Sequence, residues 1–408
     1  MAADLKERLR AALSQPSRKE QLPRGESVTE LSDLSGLGGR WFNSPEGPGY
    51  VVESVYEGGH SHGSVVLHRA LSVDPARLSG QCRDPRLADV HPRDFLYIDT
   101  ETTGLGGAGA MVFLAGVARF EGSVLKLRQY VLPSPAYEGG LLGGLAGELN
   151  AAAALVSYNG KSFDLPMLEA RYILSRARPE FRKLPHLDLL HPNRRLFRGN
   201  FDSFRLPEME VQLLEFEREN DCPSHEVPER YFRFQRTSDP THILPVLRHN
   251  AWDILSLVAL AAHLGGVCDG AEFPFQAARA AEYVGDYEAA IVHFETALAG
   301  PVGRGERLEA IEHAAIAYHK LGRDSEAAER WRQLIAEPRS RRITPHVELS
   351  KLLEHRLKQP AEALDVVRAA ISLVERGLLP QGRPGSEATL SALHRRAERL
   401  TKRSRSTS

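Results

Sequence analysis

The chain is poor in sulfur, in surplus charge and in long apolar runs. Its 408 residues include three cysteines, Cys82, Cys222 and Cys268, which form no Cys-x-x-Cys pair. So sparse and odd a count argues against a structural zinc and for a reducing compartment. Lysine plus arginine (52) nearly cancels aspartate plus glutamate (53), for a formal net charge of -1. Whole-chain charge therefore gives no sign of a polyanionic partner, and local charge must carry that argument. No apolar stretch approaches the roughly 20 residues a membrane span requires. The opening Met-Ala-Ala-Asp-Leu-Lys-Glu-Arg-Leu-Arg places charge where a signal peptide needs an apolar core. The expectation is a cytoplasmic protein with no membrane partner. What remains is the composition of an ordinary globular chain, 42% apolar and 26% charged, long enough for about two or three domains.

Residues 1–14 read as a short amphipathic helix. Residues 15–45, rich in Ser, Pro, Gly and charge, read as irregular. Strand patterns follow at 49–56 and 64–68, separated by His60-Ser-His62-Gly, which reads as a polar hairpin loop rather than a metal site for want of a third ligand. Apolar runs at 95–99, 111–119 and 124–131 with tight turns predict an antiparallel meander. A helix near 138–149, a strand at 153–157, a helix near 164–176, a short strand at 187–189 and several helices complete an α/β layer with a mixed sheet. From about 271 strand patterns stop. Gly285-Asp-Tyr-Glu-Ala-Ala-Ile returns as Gly322-Arg-Asp-Ser-Glu-Ala-Ala and, more weakly, as Lys358-Gln-Pro-Ala-Glu-Ala-Leu. That spacing is close to the roughly 34-residue period of tetratricopeptide helix pairs, which hide their apolar faces by stacking. The expected divisions are 1–48, 49–268, 271–400 as an all-α helical-repeat domain, and a basic, frayed tail at 401–408.

Three motifs carry chemistry. Phe95-Leu-Tyr-Ile-Asp-Thr-Glu-Thr-Thr-Gly104 ends an apolar strand with Asp99 and Glu101 two residues apart, hence on one face. Two close carboxylates cannot both stay ionised without positive charge between them, and a divalent cation is the usual remedy. Ser157-Tyr-Asn-Gly-Lys-Ser-Phe-Asp164 places Asp164 where a helix begins, as an N-cap, a ligand or both, one oxygen for each task. His249-Asn-Ala-Trp-Asp253 puts His249 and Asp253 four apart on one helical face. Each motif alone has a bland reading as a solvated strand end, a cap or a buried-edge pair. Together they point to a hydrolase of phosphodiesters that uses two metal ions and about four carboxylates.

The set resembles the DEDD superfamily of 3′–5′ exonucleases, whose fold is ribonuclease H-like, and within it the YprB-like group. The likeness rests on Asp-Thr-Glu-Thr-Thr-Gly-Leu-Gly-Gly, Phe113-Leu-Ala-Gly116, Tyr158-Asn-Gly-Lys-Ser-Phe-Asp164, His249-Asn-Ala-Trp-Asp253 and the acidic stretch Leu206-Pro-Glu-Met-Glu210, over about residues 50–265. It implies an α/β ribonuclease H-like domain over 49–268, with Asp99, Glu101, Asp164 and Asp253 holding two Mg²⁺ or Mn²⁺ ions. A residue before the last acid positions the attacking water: a Tyr four before or a His five before. Here His249 fills the tyrosine-type spacing, and its task stays open between base and orienter of water. Thr103, Leu105, Asn159 and Phe163 are the residues expected to meet a 3′-terminal nucleotide, although Phe163 also reads as core. Asp188 reads as a supporting acid. A run of basic residues from Arg171 to Arg205 is either a track for a phosphate backbone or a solvated face.

The reading that follows is a 3′–5′ exonuclease on single-stranded DNA or RNA ends, with a protein partner on the helical repeats. The alternative is a catalytically silent nucleic-acid-binding or scaffolding protein acting through those repeats.

Overall fold

The computed structural model describes residues 34, 36–104, 109–177, 180–270, 272–337, 342–380, 382 and 386–405. The helix expected at 1–14, most of the irregular segment and Leu105 lie outside the described residues.

A seven-stranded mixed sheet forms the first region, in the order β1-β2-β7-β6-β5-β8-β9. β1 (Arg40–Ser44) and β2 (Gly47–Tyr56) make an edge hairpin, and β2 pairs antiparallel with β7 (Val124–Val131). The expected irregular segment therefore ends earlier than its sequence suggests. β1 is ordered by its ladder to β2 rather than by its own composition. The central meander is as expected: β5 (Phe95–Thr102), β6 (Val112–Glu121) and β7 are consecutive antiparallel neighbours. β8 (Ala154–Ser157) then joins β5 in parallel, and β9 (His186–Asp188) joins β8 in parallel. The strand expected at 64–68 is shorter than its pattern. β3 (Ser61–His62) and β4 (Val65–Val66) form a separate small hairpin, and a 3-10 turn takes over from Leu67 to Ser72. His62 is not a loop residue but a buried one, its Nε2 2.7 Å from Ser256 Oγ.

Strand alternation divides the core. Phe95 and Tyr97 of β5 face a cluster that includes Ile254, Val258 and Ala261 of helix α7 (Leu244–Asp269), whereas Leu96 and Ile98 face the other layer. There α2 (Glu138–Ala151) and α3 (Asp164–Leu174) supply Leu141, Leu145 and Leu168, and α6 (Val227–Thr237) stacks Tyr231 on Phe113. Burying a side chain such as Phe95 stabilises by roughly 1.5–3 kcal/mol. The remaining helices of this region are α1 (Pro75–Cys82), α4 (Leu190–Leu196) and α5 (Leu206–Leu214).

α7 corrects one expectation. Its segment Pro240–Asp269 is long and apolar enough to cross a membrane by length and composition, yet 78% of the apolar window is buried inside the protein. The domain surrounds it instead of lipid, so its apolarity is that of a central core helix.

Beyond α7 the described residues hold helices and no strand: α8 (Pro274–Val284), α9 (Tyr287–Ala299), α10 (Arg304–Lys320), α11 (Asp324–Ala336), α12 (Thr344–His355), α13 (Pro360–Glu375) and α14 (Leu390–Arg405). Each packs on the next around one apolar cluster. The recurring turn residues adopt left-handed backbone at Gly285 (φ +84°) and Gly322 (φ +73°), where glycine avoids the Cβ penalty. The weak third copy has Lys358 there instead, at φ +57°. The tail is helical as far as Arg405, not frayed from Thr401. The two regions meet where Gln81 Nε2 of α1 donates to Ala280 O of α8 and the Arg195 guanidinium lies 3.5 Å above the Tyr283 ring.

Candidate metal centre

The sheet, α3 and α7 bring the three motifs to one place. Asp99 and Glu101 continue the face of Tyr97, at the end of a strand whose register breaks between Glu101 and Thr102. Asp99 pairs across the ladder with Gly116. A Cβ on Gly116 would come within 2.1 Å of Asn250 Oδ1. The missing side chain thus lets Asn250 of α7 enter: its Nδ2 donates to Asp99 Oδ2 at 2.8 Å, and its Oδ1 accepts from Gln129 Nε2 at 2.9 Å.

Asp164 opens α3 but does not cap it. Phe163 occupies the cap position, without a side-chain cap bond. Asp164 Oδ1 instead accepts from the backbone N–H of Thr100 at 3.0 Å and from Thr100 Oγ1 at 2.5 Å. The second motif is thereby tied to the first across 64 residues. Asp253 Oδ1 accepts from Arg218 Nη2 at 2.5 Å, while its Oδ2 lies 3.4 Å from His249 Nε2. Three of the four acids therefore have one oxygen held by protein.

Arg218 is the residue that sequence reasoning missed. It is buried, donates from Nε and Nη2 to both oxygens of Glu210 at 2.7 and 2.5 Å, and from Nη1 to Asp221 Oδ2 at 3.0 Å. Burial opposes its charge, but Glu210 and Asp253 raise its pKa further. Ser256 Oγ donates to Glu210 Oε1 at 2.5 Å, which links this network to His62. In the sequence, Arg218 sits in the polar run Glu215-Phe-Glu-Arg-Glu-Asn-Asp-Cys, which reads as solvated loop. Asn250 was in plain view inside the third motif.

Electrostatics mark the cluster as short of positive charge. The Asp99 carboxyl is pushed well above the usual range by burial and then by Asp253, Asp164 and Glu101, with the Asn250 bond pulling back. Glu101 is raised likewise by burial, Asp253 and Asp164. Asp164 is pushed up to about 6 by burial, against the bonds from Thr100. Among the described residues, the only guanidinium hydrogen-bonded to any of the four acids is that of Arg218. A divalent cation would supply such charge, and hard carboxylate oxygens suit one. Glu101, His249 and Asp253 each offer a ligand atom, all within 4.8 Å of one another.

The other expected residues separate. Phe163 is 57% exposed, so the core reading of its ring does not hold. Thr103 staples the end of β5 to Met111, donating from its N–H to Met111 O (2.9 Å) and accepting from Met111 N at its hydroxyl (3.0 Å). Asn159 adopts φ +64°, and its N–H donates to Asp188 Oδ1 at 2.7 Å. Asp188 also accepts from the N–H groups of Lys161 and Leu190, so it shapes the loop before Asp164. Four members of the basic run are tied to neighbours: Arg171 to Glu138, Arg182 to Glu169, Lys183 to Glu180 and Arg195 to Gln81.

Comparison with known proteins agrees with this architecture. Residues 96–265 match the model of the RNase H superfamily, a span that contains all four acids and His249. The uncharacterized protein YprB of Bacillus subtilis (strain 168) is 33% identical over 292 residues, covering 68% of this chain and 69% of that protein. With a mixed sheet, flanking helices and a matched span that encloses the acid cluster, the chain belongs to the ribonuclease H superfamily.

Proposed function

We propose that this protein is a metal-dependent nuclease, a 3′–5′ exonuclease that hydrolyses single-stranded DNA or RNA ends with two Mg²⁺ or Mn²⁺ ions held by Asp99, Glu101, Asp164 and Asp253. The observation that carries the reading is the convergence of these acids from three separated motifs into one buried, mutually repelling cluster. Purely structural acids are seldom left in that state. When bound, the ions would supply the Lewis-acid charge that eases deprotonation of water and stabilises the leaving oxygen.

The chain's own residues do the rest. Asn250, Thr100 and Arg218 each hold one oxygen of an acid, fixing Asp99, Asp164 and Asp253 and leaving the other oxygen for a ligand. His249 stands beside Glu101 and Asp253, within reach of a water held there. Phe163 offers an exposed ring on which a terminal base stacks, and Asn159 a polar side chain four residues earlier in the same motif. Residues 49–268 would form the catalytic domain, and residues 271–400 a tetratricopeptide-like array that binds a protein partner.

The test is nucleotide release from 3′-labelled and 5′-labelled single-stranded DNA and RNA, with Mn²⁺, Mg²⁺ or chelator. The expected result is metal-dependent release of mononucleotides from the 3′ end, lost in Asp99→Asn. Strand binding with no cleavage under any metal would move the reading to a silent scaffold.

A further inference from the structure

We propose that His249 is itself a metal ligand through Nε2, making Glu101, His249 and Asp253 a mixed nitrogen–oxygen site that takes a first-row transition ion such as Mn²⁺ in preference to Mg²⁺. This rests on the metal-dependent reading above and assigns to His249 a task other than that of base or orienter of water.

The orientation of the ring carries the argument. The His249 side chain is 8% exposed. Its Nδ1 lies 2.8 and 2.9 Å from the two oxygens of Asp221. A carboxylate only accepts, so the proton of the ring sits on Nδ1. Arg218 Nη1 also lies 3.2 Å from Nδ1, but Asp221 Oδ2 is its nearer acceptor, at 3.0 Å.

In the neutral ring, Nε2 then presents its lone pair. It has no hydrogen-bond partner among the described residues and is aimed at Asp253 Oδ2 (3.4 Å) and Glu101 Oε1 (3.8 Å). Two acceptor oxygens beside an unprotonated nitrogen repel unless a cation lies between them. The three atoms are close enough to share one. Arg218 occupies the other oxygen of Asp253, so Oδ2 is the one turned to the ion. The arrangement is a carboxylate–histidine–metal relay in which Asp221 fixes the tautomer. Mg²⁺ takes oxygen ligands and keeps its waters, whereas imidazole nitrogen favours transition ions.

The experiment titrates chelated, full-length protein with Mn²⁺, following free ion by electron paramagnetic resonance and bound ion by pulsed measurement of nitrogen hyperfine coupling. The expected result is a ¹⁴N coupling in the wild type that disappears in His249→Phe. Asp221→Asn, which keeps the side-chain volume, should weaken Mn²⁺ binding by about 10- to 100-fold, and it carries the test if His249→Phe does not fold. Mn²⁺ bound by the wild type without nitrogen coupling overturns the ligand assignment and leaves the nuclease reading standing. No Mn²⁺ binding by the wild type overturns both.

Discussion

Glu354 in the helical array and Asp99 in the sheet are both buried carboxyls, and the protein treats them in opposite ways. Glu354 has no exposed side-chain surface, but Arg399 Nη2 reaches it at 2.6 Å, Arg403 Nη1 at 3.0 Å and Arg396 Nη1 at 3.6 Å. Burial pushes its pKa up, yet Arg399, His355 and Arg403 outweigh that and hold it below the usual range. Around Asp99 the neighbours are Asp253, Asp164 and Glu101, which push in the same direction as burial. Burial alone therefore does not decide whether an acid can hold a cation. The sign of the surrounding charge does, because only a surplus leaves room for a ligand of the opposite sign.

The largest expected effect tests that surplus directly. Asp99→Asn should lower nuclease activity about a thousandfold, since a metal contributes several kcal/mol of charge stabilisation and each 1.36 kcal/mol is tenfold. In chelator the same variant should melt at a higher temperature than the wild type, because one of four repelling groups is gone. A lower melting temperature breaks the comparison. Next, Mn²⁺ at a hundred times its dissociation constant should stabilise the wild type by about 2.7 kcal/mol per ion. Denaturant midpoints should show that gain in Glu354→Gln and not in Asp99→Asn. Glu354→Gln itself should cost about 1–3 kcal/mol, a range that allows for the half-exposed positions of Arg399 and Arg403; unchanged stability would mean the arginine cluster does not hold α14 in place.

The smallest effect concerns a ring with no hydrogen-bond partner. His263 on α7 has no hydrogen-bond partner at either ring nitrogen, and its pKa is pulled down to about 4 by burial and then by Arg69. The folded protein keeps this ring neutral while the unfolded chain protonates it near pH 6.5. Its contribution to stability is therefore complete above about 6.5 and is lost as pH falls toward 4. His263→Phe removes that loss, so the stability of the variant relative to the wild type should rise by about 2 kcal/mol between pH 7 and pH 5. A constant difference in urea midpoints across that range would show that the ring titrates normally.

What was legible in the sequence was what local pattern encodes. The alternation of β5 placed Asp99 and Glu101 on one face, and the helical spacing placed His249 and Asp253 together. What was not legible depends on contacts between distant segments. Asp164 looks like a cap until Thr100, 64 residues earlier, is seen to hold it. The end of α14 looks frayed because Arg399 and Arg403 find their acid 45 and 49 residues away. Arg218 carries no local signal at all, since a charged residue in a polar run reads the same whether solvated or buried. β1 is hidden for a related reason: its order comes from a ladder, not from its own residues.

α7 ties the two regions mechanically. Asp253 lies near its first third, while at its far end Cys268 O accepts from Arg77 Nη1 at 2.7 Å beside the start of the array. Fifteen helical residues span roughly 22 Å. A lever of that length, tilted by about 3° at the array end, carries Asp253 through about 1 Å. Displacements of that size cost catalysts about a hundredfold. The helical array and the carboxylate that closes the acid cluster are thus joined by one continuous helix.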